Sequence, residues 1–257
     1  MMLALVAALS GNATQAASPG PLPITEQTFI IAIDAGHGGS NEGCLSFDGH
    51  SREKQFTLEL AFALREQIQQ RLPAADVVLT RGADESMTLA QRVAAANEVK
   101  ADLFISLHAN ASPDRTQTGF ETYVLDARAS NLEAARTARR ENDEALVEPS
   151  GKGSMSEVST MLRQLEMTAH RAAAVRFAAT IQREQAERFP DRVDRGVKQA
   201  PFDVLMGARM PAVLFEAGFL DHAEEGSLLS AQDHRERIAE GLTDAIVEQY
   251  REQRRKQ

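Results

Sequence analysis

The chain of 257 residues contains a single cysteine, Cys44. One thiol cannot form an intrachain disulfide, and neither a disulfide scaffold nor a Cys-rich zinc site can be drawn. Basic charge is also short, since 28 lysines and arginines face 37 aspartates and glutamates, a formal net charge of −9. A protein that neutralises nucleic-acid phosphates needs a basic surface, so this balance argues against nucleic acid as a partner. Long apolar runs are missing too. Beyond the N-terminal segment no stretch approaches the ~18 apolar residues of a membrane span, and no internal repeat or low-complexity tract is visible.

What is present is enough apolar material for one substantial α/β domain, with 43% of residues hydrophobic. Residues 2–9 are apolar, residues 10–16 turn small and polar, and the first charged side chain is Glu26. That profile resembles the end of a secretory signal with a boundary at Ala16 or Ala17, although the basic n-region is missing. Residues 1–25 are therefore expected to be a signal peptide and flexible N-terminus, which predicts a periplasmic or secreted protein.

The run Phe29-Ile30-Ile31-Ala32-Ile33 reads as a buried strand, followed by a loop with Gly36, Gly38 and Gly39. Glu53 opens a helical stretch in which Phe56, Leu60, Leu64 and Ile68 recur every four residues before Pro73. Val77-Val78-Leu79-Thr80 is the next strand, and Leu89, Val93 and Ala96 mark a helix leading to a strand over 103–107. Residues 120–125 form another strand-like run. Sheet character returns at Phe202-Asp203-Val204-Leu205 and at Ala212-Val213-Leu214-Phe215, and Ile238, Leu242, Ala245 and Ile246 suggest a closing helix. This alternation predicts an α/β fold with a mostly parallel central sheet flanked by helices. From about 127 to 186 the chain becomes helix-forming with mixed charges, broken by Pro-Ser-Gly-Lys-Gly at 149–153, and reads as a helical insertion. Within it Val158, Met161, Leu162 and Leu165 make one apolar helical stripe.

His37 and His108 each stand directly after an apolar run, and Val213-Leu214-Phe215 delivers Glu216 in the same way. Ligands of open α/β sheets bind beyond the carboxyl ends of strands, where such residues converge. Glu53 joins them at the mouth of the first helix, a place where the helix dipole also favours a carboxylate. Two imidazoles and two carboxylates at one sheet edge point to a zinc hydrolase, because zinc accepts His and Glu ligands while catalysis needs an open position and a nearby base. The residues by themselves lead as far as metal-dependent amide hydrolysis.

These residues lie in four segments, Asp34-Ala35-Gly36-His37-Gly38-Gly39, Glu53-Lys54, Ser106-Leu107-His108-Ala109-Asn110, and the stretch from Pro211 to Phe219 that carries Glu216. In that order they resemble the motifs of the zinc-dependent N-acetylmuramoyl-L-alanine amidases used in bacterial cell separation. Thr80-Arg81, Leu89 with Arg92 and Ala96-Asn97, and Gly196-Val197-Lys198 follow the same pattern, so the likeness runs from about 29 to 250. The departures are Asn41 where Asp is common, Gln55 after Lys54, and Asp221-His222 in place of Ser-Asn. His222 is open to two readings, a substrate contact or a solvated loop residue. His50, His170 and His234 have no motif around them.

The resemblance implies a catalytic domain over 26–254 in which His37, Glu53 and His108 hold Zn2+. Glu216 would take a proton from water and pass it to the departing nitrogen. The substrate implied is peptidoglycan, cut between N-acetylmuramic acid and L-alanine in cell-wall remodelling and daughter-cell separation. In relatives with an insertion at this place, a helix covers the zinc, and its glutamate fills the open position until an activator protein displaces it. Arg140-Glu141-Asn142 resembles that motif, which makes Glu141 an inhibitory ligand and an activator of the degenerate LytM-domain type the expected partner. The alternatives are a noncatalytic wall-binding or regulatory protein that retains the fold, and a zinc peptidase or deacetylase acting on another wall bond.

Overall fold

A computed structural model describes residues 28–143 and 157–255, the side chains of 157–168 excepted. The expected signal peptide, the break at 149–153 and the side chains of Val158, Met161, Leu162 and Leu165 lie outside the described residues.

The elements run β1 (Phe29–Ala35), α1 (Glu53–Arg71), β2 (Ala75–Leu79), α2 (Leu89–Glu98), β3 (Leu103–Asn110), β4 (Phe120–Leu125), α3 (Leu132–Asn142), α4 (Glu157–Arg188), β5 (Asp194–Ala200), a 3-10 turn (Asp203–Leu205), β6 (Ala212–Phe219), α5 (Ala223–Ser230) and α6 (Gln232–Arg254). The six strands form one sheet in the order β2-β1-β3-β6-β4-β5. Strands β2, β1, β3 and β6 are mutually parallel, and β4 runs antiparallel to β6 and parallel to β5. The expected α/β architecture with a mostly parallel sheet is thus observed.

Alternation along the strands divides the core in two. Ile31 and Ile33 of β1, Leu103, Ile105 and Leu107 of β3, and Val213 and Phe215 of β6 meet the apolar stripes of α1 and α6. Phe104, Tyr123 and Leu214 point the other way, onto α2, α3 and the 3-10 turn. Both faces are covered, as a largely parallel sheet requires. The same alternation sets His108, Asn110, Glu121 and Glu216 on the face shared with α3.

The stretch set apart as an insertion contributes to both layers. Ala134 and Ala138 of α3 belong to the second core, whereas Ala174, Phe177, Ala178 and Ile181 of α4 are buried in the first. The later half of α4 is therefore a core helix, which the mixed charges of its exposed face concealed. The strand expected at 202–205 is instead a turn in which Phe202, Val204 and Leu205 are buried. The strand in this region is β5, whose sequence Asp-Arg-Gly-Val-Lys-Gln-Ala shows no apolar alternation because it lies at the sheet edge, where one flank remains open. Among the described residues no helix is long and apolar enough to cross a membrane.

Candidate active site

The loop after β1 brings His37 to the sheet edge with φ 59°, an unusual conformation for a side chain other than glycine. Two buried arginines hold that backbone. Arg92 donates to the carbonyls of Ala35 (2.7 Å) and His37 (2.6 Å), and Arg81 to those of Ala35 and Gly36, both at 2.8 Å. Asp34 anchors Arg92 at 2.9 Å and also accepts from Thr80 and Ser106. Burial works against charge on Asp34, yet the Arg92 guanidinium and these hydrogen bonds keep its carboxyl below the usual range. This explains why Thr80-Arg81 and Arg92 accompany the histidine motif: both arginines hold the backbone that presents His37.

With its proton on Nδ1, His37 donates to Asn41 Oδ1 (3.1 Å), which turns Nε2 toward Glu53 Oε1, 2.9 Å away. Glu53 opens α1 and is fully buried. Its Oε2 accepts from Cys44 N and its Oε1 from Ala109 N, both at 2.9 Å. His108, near the end of β3, faces Glu53 Oε1 through Nδ1 at 3.1 Å. Gly36 and Gly43 make room for this approach. A Cβ on Gly36 would fall 2.4 Å from His108 Cε1, and one on Gly43 would fall 2.6 Å from Glu53 Oε2.

A fourth group enters from α3. Glu141 Oε2 lies 3.0 Å from His108 Nδ1 and 3.3 Å from His37 Nε2, so ligand atoms of His37, Glu53, His108 and Glu141 all fall within 4.8 Å of one another. Burial opposes the imidazolium of His108, but the Glu141 carboxylate and the hydrogen bonds to Glu141 and Glu53 raise its pKa to about 10. Burial likewise opposes ionisation of Glu53 and Glu141, and it is outweighed by His37 beside Glu53 and by Arg140 and His108 beside Glu141, so both carboxyls lie low. Two buried carboxylates converging on two imidazoles form a site that calls for positive charge. The donor set, nitrogen and oxygen without sulfur, fits a divalent ion of the zinc type.

Glu216 stands on β6 in register with His108 on one side and with Glu121 of β4 on the other. It is fully buried, and neither oxygen has a hydrogen-bond partner among the described residues, although Arg140 Nη2 is 3.5 Å from Oε1. Burial and then the Glu141 carboxylate push its carboxyl well above the usual range. A buried carboxyl group poised to hold a proton beside a cation site suits acid–base work.

Arg140 and Asn142, which flank Glu141 in the sequence, both fasten α3 to the site. Arg140 donates to Glu141 Oε1 (2.7 Å), Ala111 O (2.8 Å) and Asn110 Oδ1 (2.9 Å). Asn142 donates to Pro201 O and accepts from Asp203 N. Glu121 carries no motif in the sequence. The signal for it was an acidic side chain inside the apolar strand 120–125. His222 caps α5, its Nδ1 accepting from Glu225 N at 3.3 Å, while His50 is exposed and His234 is buried against Phe189.

Residues 31–248 match a family model described as N-acetylmuramoyl-L-alanine amidase. The chain is 31% identical over 217 residues to the amidase CwlM of Bacillus licheniformis, covering 84% of this chain and 67% of that protein. It is 27% identical over 235 residues to AmiC and 28% identical over 222 residues to AmiA, both of Escherichia coli. Those alignments cover 90% and 85% of this chain and 55% and 75% of the relatives. Among solved structures, the catalytic domain of CwlV, an N-acetylmuramoyl-L-alanine amidase of Bacillus (Paenibacillus) polymyxa var. colistinus, superposes with a TM-score of 0.65 at 30% identity, covering 86% of this chain and 97% of that domain.

Proposed function

Because the chain belongs to the N-acetylmuramoyl-L-alanine amidase family, we propose that it hydrolyses the amide between N-acetylmuramic acid and L-alanine in peptidoglycan, with zinc held by His37, Glu53 and His108. The observation that carries this reading is the convergence of their ligand atoms beside buried Glu216. A zinc ion there supplies Lewis acidity toward water and an amide carbonyl. Asn41 and the backbone N–H groups of Cys44 and Ala109 orient the ligands, a duty that second-layer partners perform at metal sites generally. Glu216 accepts the proton of the attacking water and returns it to the departing nitrogen. Glu141 sits where the substrate carbonyl must go, so the resting chain is autoinhibited. An activator of the degenerate LytM-domain type that draws α3 away would release it. The enzyme acts in the periplasm or outside the cell, in wall remodelling and daughter-cell separation.

Mass spectrometry of digests of purified peptidoglycan tests the reaction, using wild type and Glu141→Ala with zinc and after chelation. Free stem peptides beginning with L-alanine, released from glycan strands left intact, are expected with zinc from Glu141→Ala and in smaller amount from wild type, and no free stem peptide is expected from either after chelation. Cuts within the stem, deacetylated glycan or insensitivity to zinc removal would each contradict the proposal.

The ligand assignment has its own test. A chain carrying both His37→Ala and His108→Ala should lose most of its zinc in metal analysis while keeping a folded circular dichroism spectrum. If that folded variant still holds one equivalent, the ligands lie elsewhere.

A further inference from the structure

Arg140 touches more than its neighbour Glu141. Its Nη2 lies 2.9 Å from Asn110 Oδ1 and 3.5 Å from Glu216 Oε1, a nitrogen bearing N–H groups set between a fixed acceptor and the carboxyl assigned to acid–base work. Glu141, one residue on, meanwhile directs Oε2 at His37 and His108. Adjacent residues of α3 thus set a carboxylate oxygen at the candidate ligands and a guanidinium nitrogen between Asn110 and Glu216.

The acceptor is built rather than incidental. Asn110 is buried, and its amide can face only one way because Nδ2 donates to Glu121 Oε1 at 2.8 Å. Glu121 is fully buried and saturated. Its Oε1 also accepts from Tyr123 OH at 2.5 Å, and its Oε2 from Arg195 Nε at 2.8 Å and from Lys198 Nζ. Two cations and a phenol hold this carboxylate ionised as an acceptor, so it cannot receive Asn110 Oδ1 as a partner. Oδ1 is therefore turned away from Glu121; it accepts from Ala111 N at 3.0 Å, and its remaining acceptor capacity faces the cleft, where it meets Arg140.

Resting on the amidase reading, we propose that Asn110 Oδ1 accepts the N–H of the scissile amide and that Glu121 is the positioning residue that keeps it turned there. Water oxygen adds to the carbonyl carbon and its proton passes to Glu216. The nitrogen then becomes pyramidal, and its new lone pair must face Glu216 to take that proton as the C–N bond breaks. An acceptor fixed on the N–H sets the direction of the pair. Since the pair exists only after addition, the contact acts on turnover more than on binding.

The test compares two soluble substrates, a muramoyl peptide and its ester analogue in which oxygen replaces the scissile N–H, on full-length Arg140→Ala/Glu141→Ala protein loaded with zinc. Adding Asn110→Ala should lower kcat on the amide about 10-fold or more, as loss of one hydrogen bond at the reacting centre does, with KM changed less than about threefold. Ester hydrolysis should stay within about twofold, which also shows that the variant is folded and metallated. Glu121→Gln should give the same amide-selective loss, smaller in size. Equal losses on amide and ester, or no loss on the amide, would overturn the assignment. If the starting variant cleaves neither substrate, the amidase reading itself fails, and that failure is visible before Asn110 is changed.

Discussion

Replacing Glu216 by glutamine is expected to reduce turnover by at least ~10²-fold while zinc stays bound. Glutamine keeps the shape of the side chain and removes the proton acceptor, so the loss reports on chemistry rather than packing. The fold should tolerate the change, because a fully buried carboxyl without hydrogen-bond partners among the described residues is replaced by a neutral group. Metal content should hold as well, since Glu216 is not among the four residues whose ligand atoms converge. Dye release from labelled sacculi, read beside metal analysis, checks both halves. Activity near wild type with zinc in place would remove Glu216 from the role of essential base.

The strands that carry this site were legible because each is an apolar run buried on both faces. His37 follows β1 by two positions, whereas His108 and Glu216 lie inside β3 and β6, which continue as buried strand to Asn110 and Phe219, so the apolar runs mark where the site residues begin but not where the strands end. Edge strand β5 was not legible, since Asp194-Arg195-Gly196-Val197-Lys198 keeps one flank open and uses Arg195 and Lys198 to neutralise Glu121. Val204 and Leu205 look like strand residues for the opposite reason. They are buried from a turn, and burial alone does not distinguish a turn from a strand. The contact of Arg140 with Asn110 spans 30 positions and follows from no local pattern.

Helix α3 is tied down by more than Glu141. Glu133 near its start pairs with Arg195 and Lys198, Asn142 at its end bonds Pro201 and Asp203, and Arg140 bonds Asn110 and Ala111 between them. Most of these partners lie on β5 and the loops around it, so the sheet edge opposite β2 holds the helix. A protein that displaced α3 would have to exchange several polar contacts at once. Such an exchange gives a two-state element rather than a graded one.

Glu141→Ala is expected to raise basal activity on purified peptidoglycan by on the order of 10-fold or more, because the displaced carboxylate competes with substrate for one position. On the proposed reading, that competition is costly to relieve in the intact chain. Glu141 is buried, faces both histidines and is held by Arg140 at 2.7 Å. Removing the carboxylate alone leaves Arg140 on Asn110 and Ala111, so the helix keeps part of its hold on the cleft. Arg140→Ala/Glu141→Ala should therefore exceed the single variant, and the excess measures how much of the block lies at the nitrogen side of the cleft. Circular dichroism must show all three proteins folded, and dye release from sacculi gives the rates. If wild type is already fully active and neither variant changes it, α3 is packing or partner surface, and Glu141 belongs to the resting structure without controlling it.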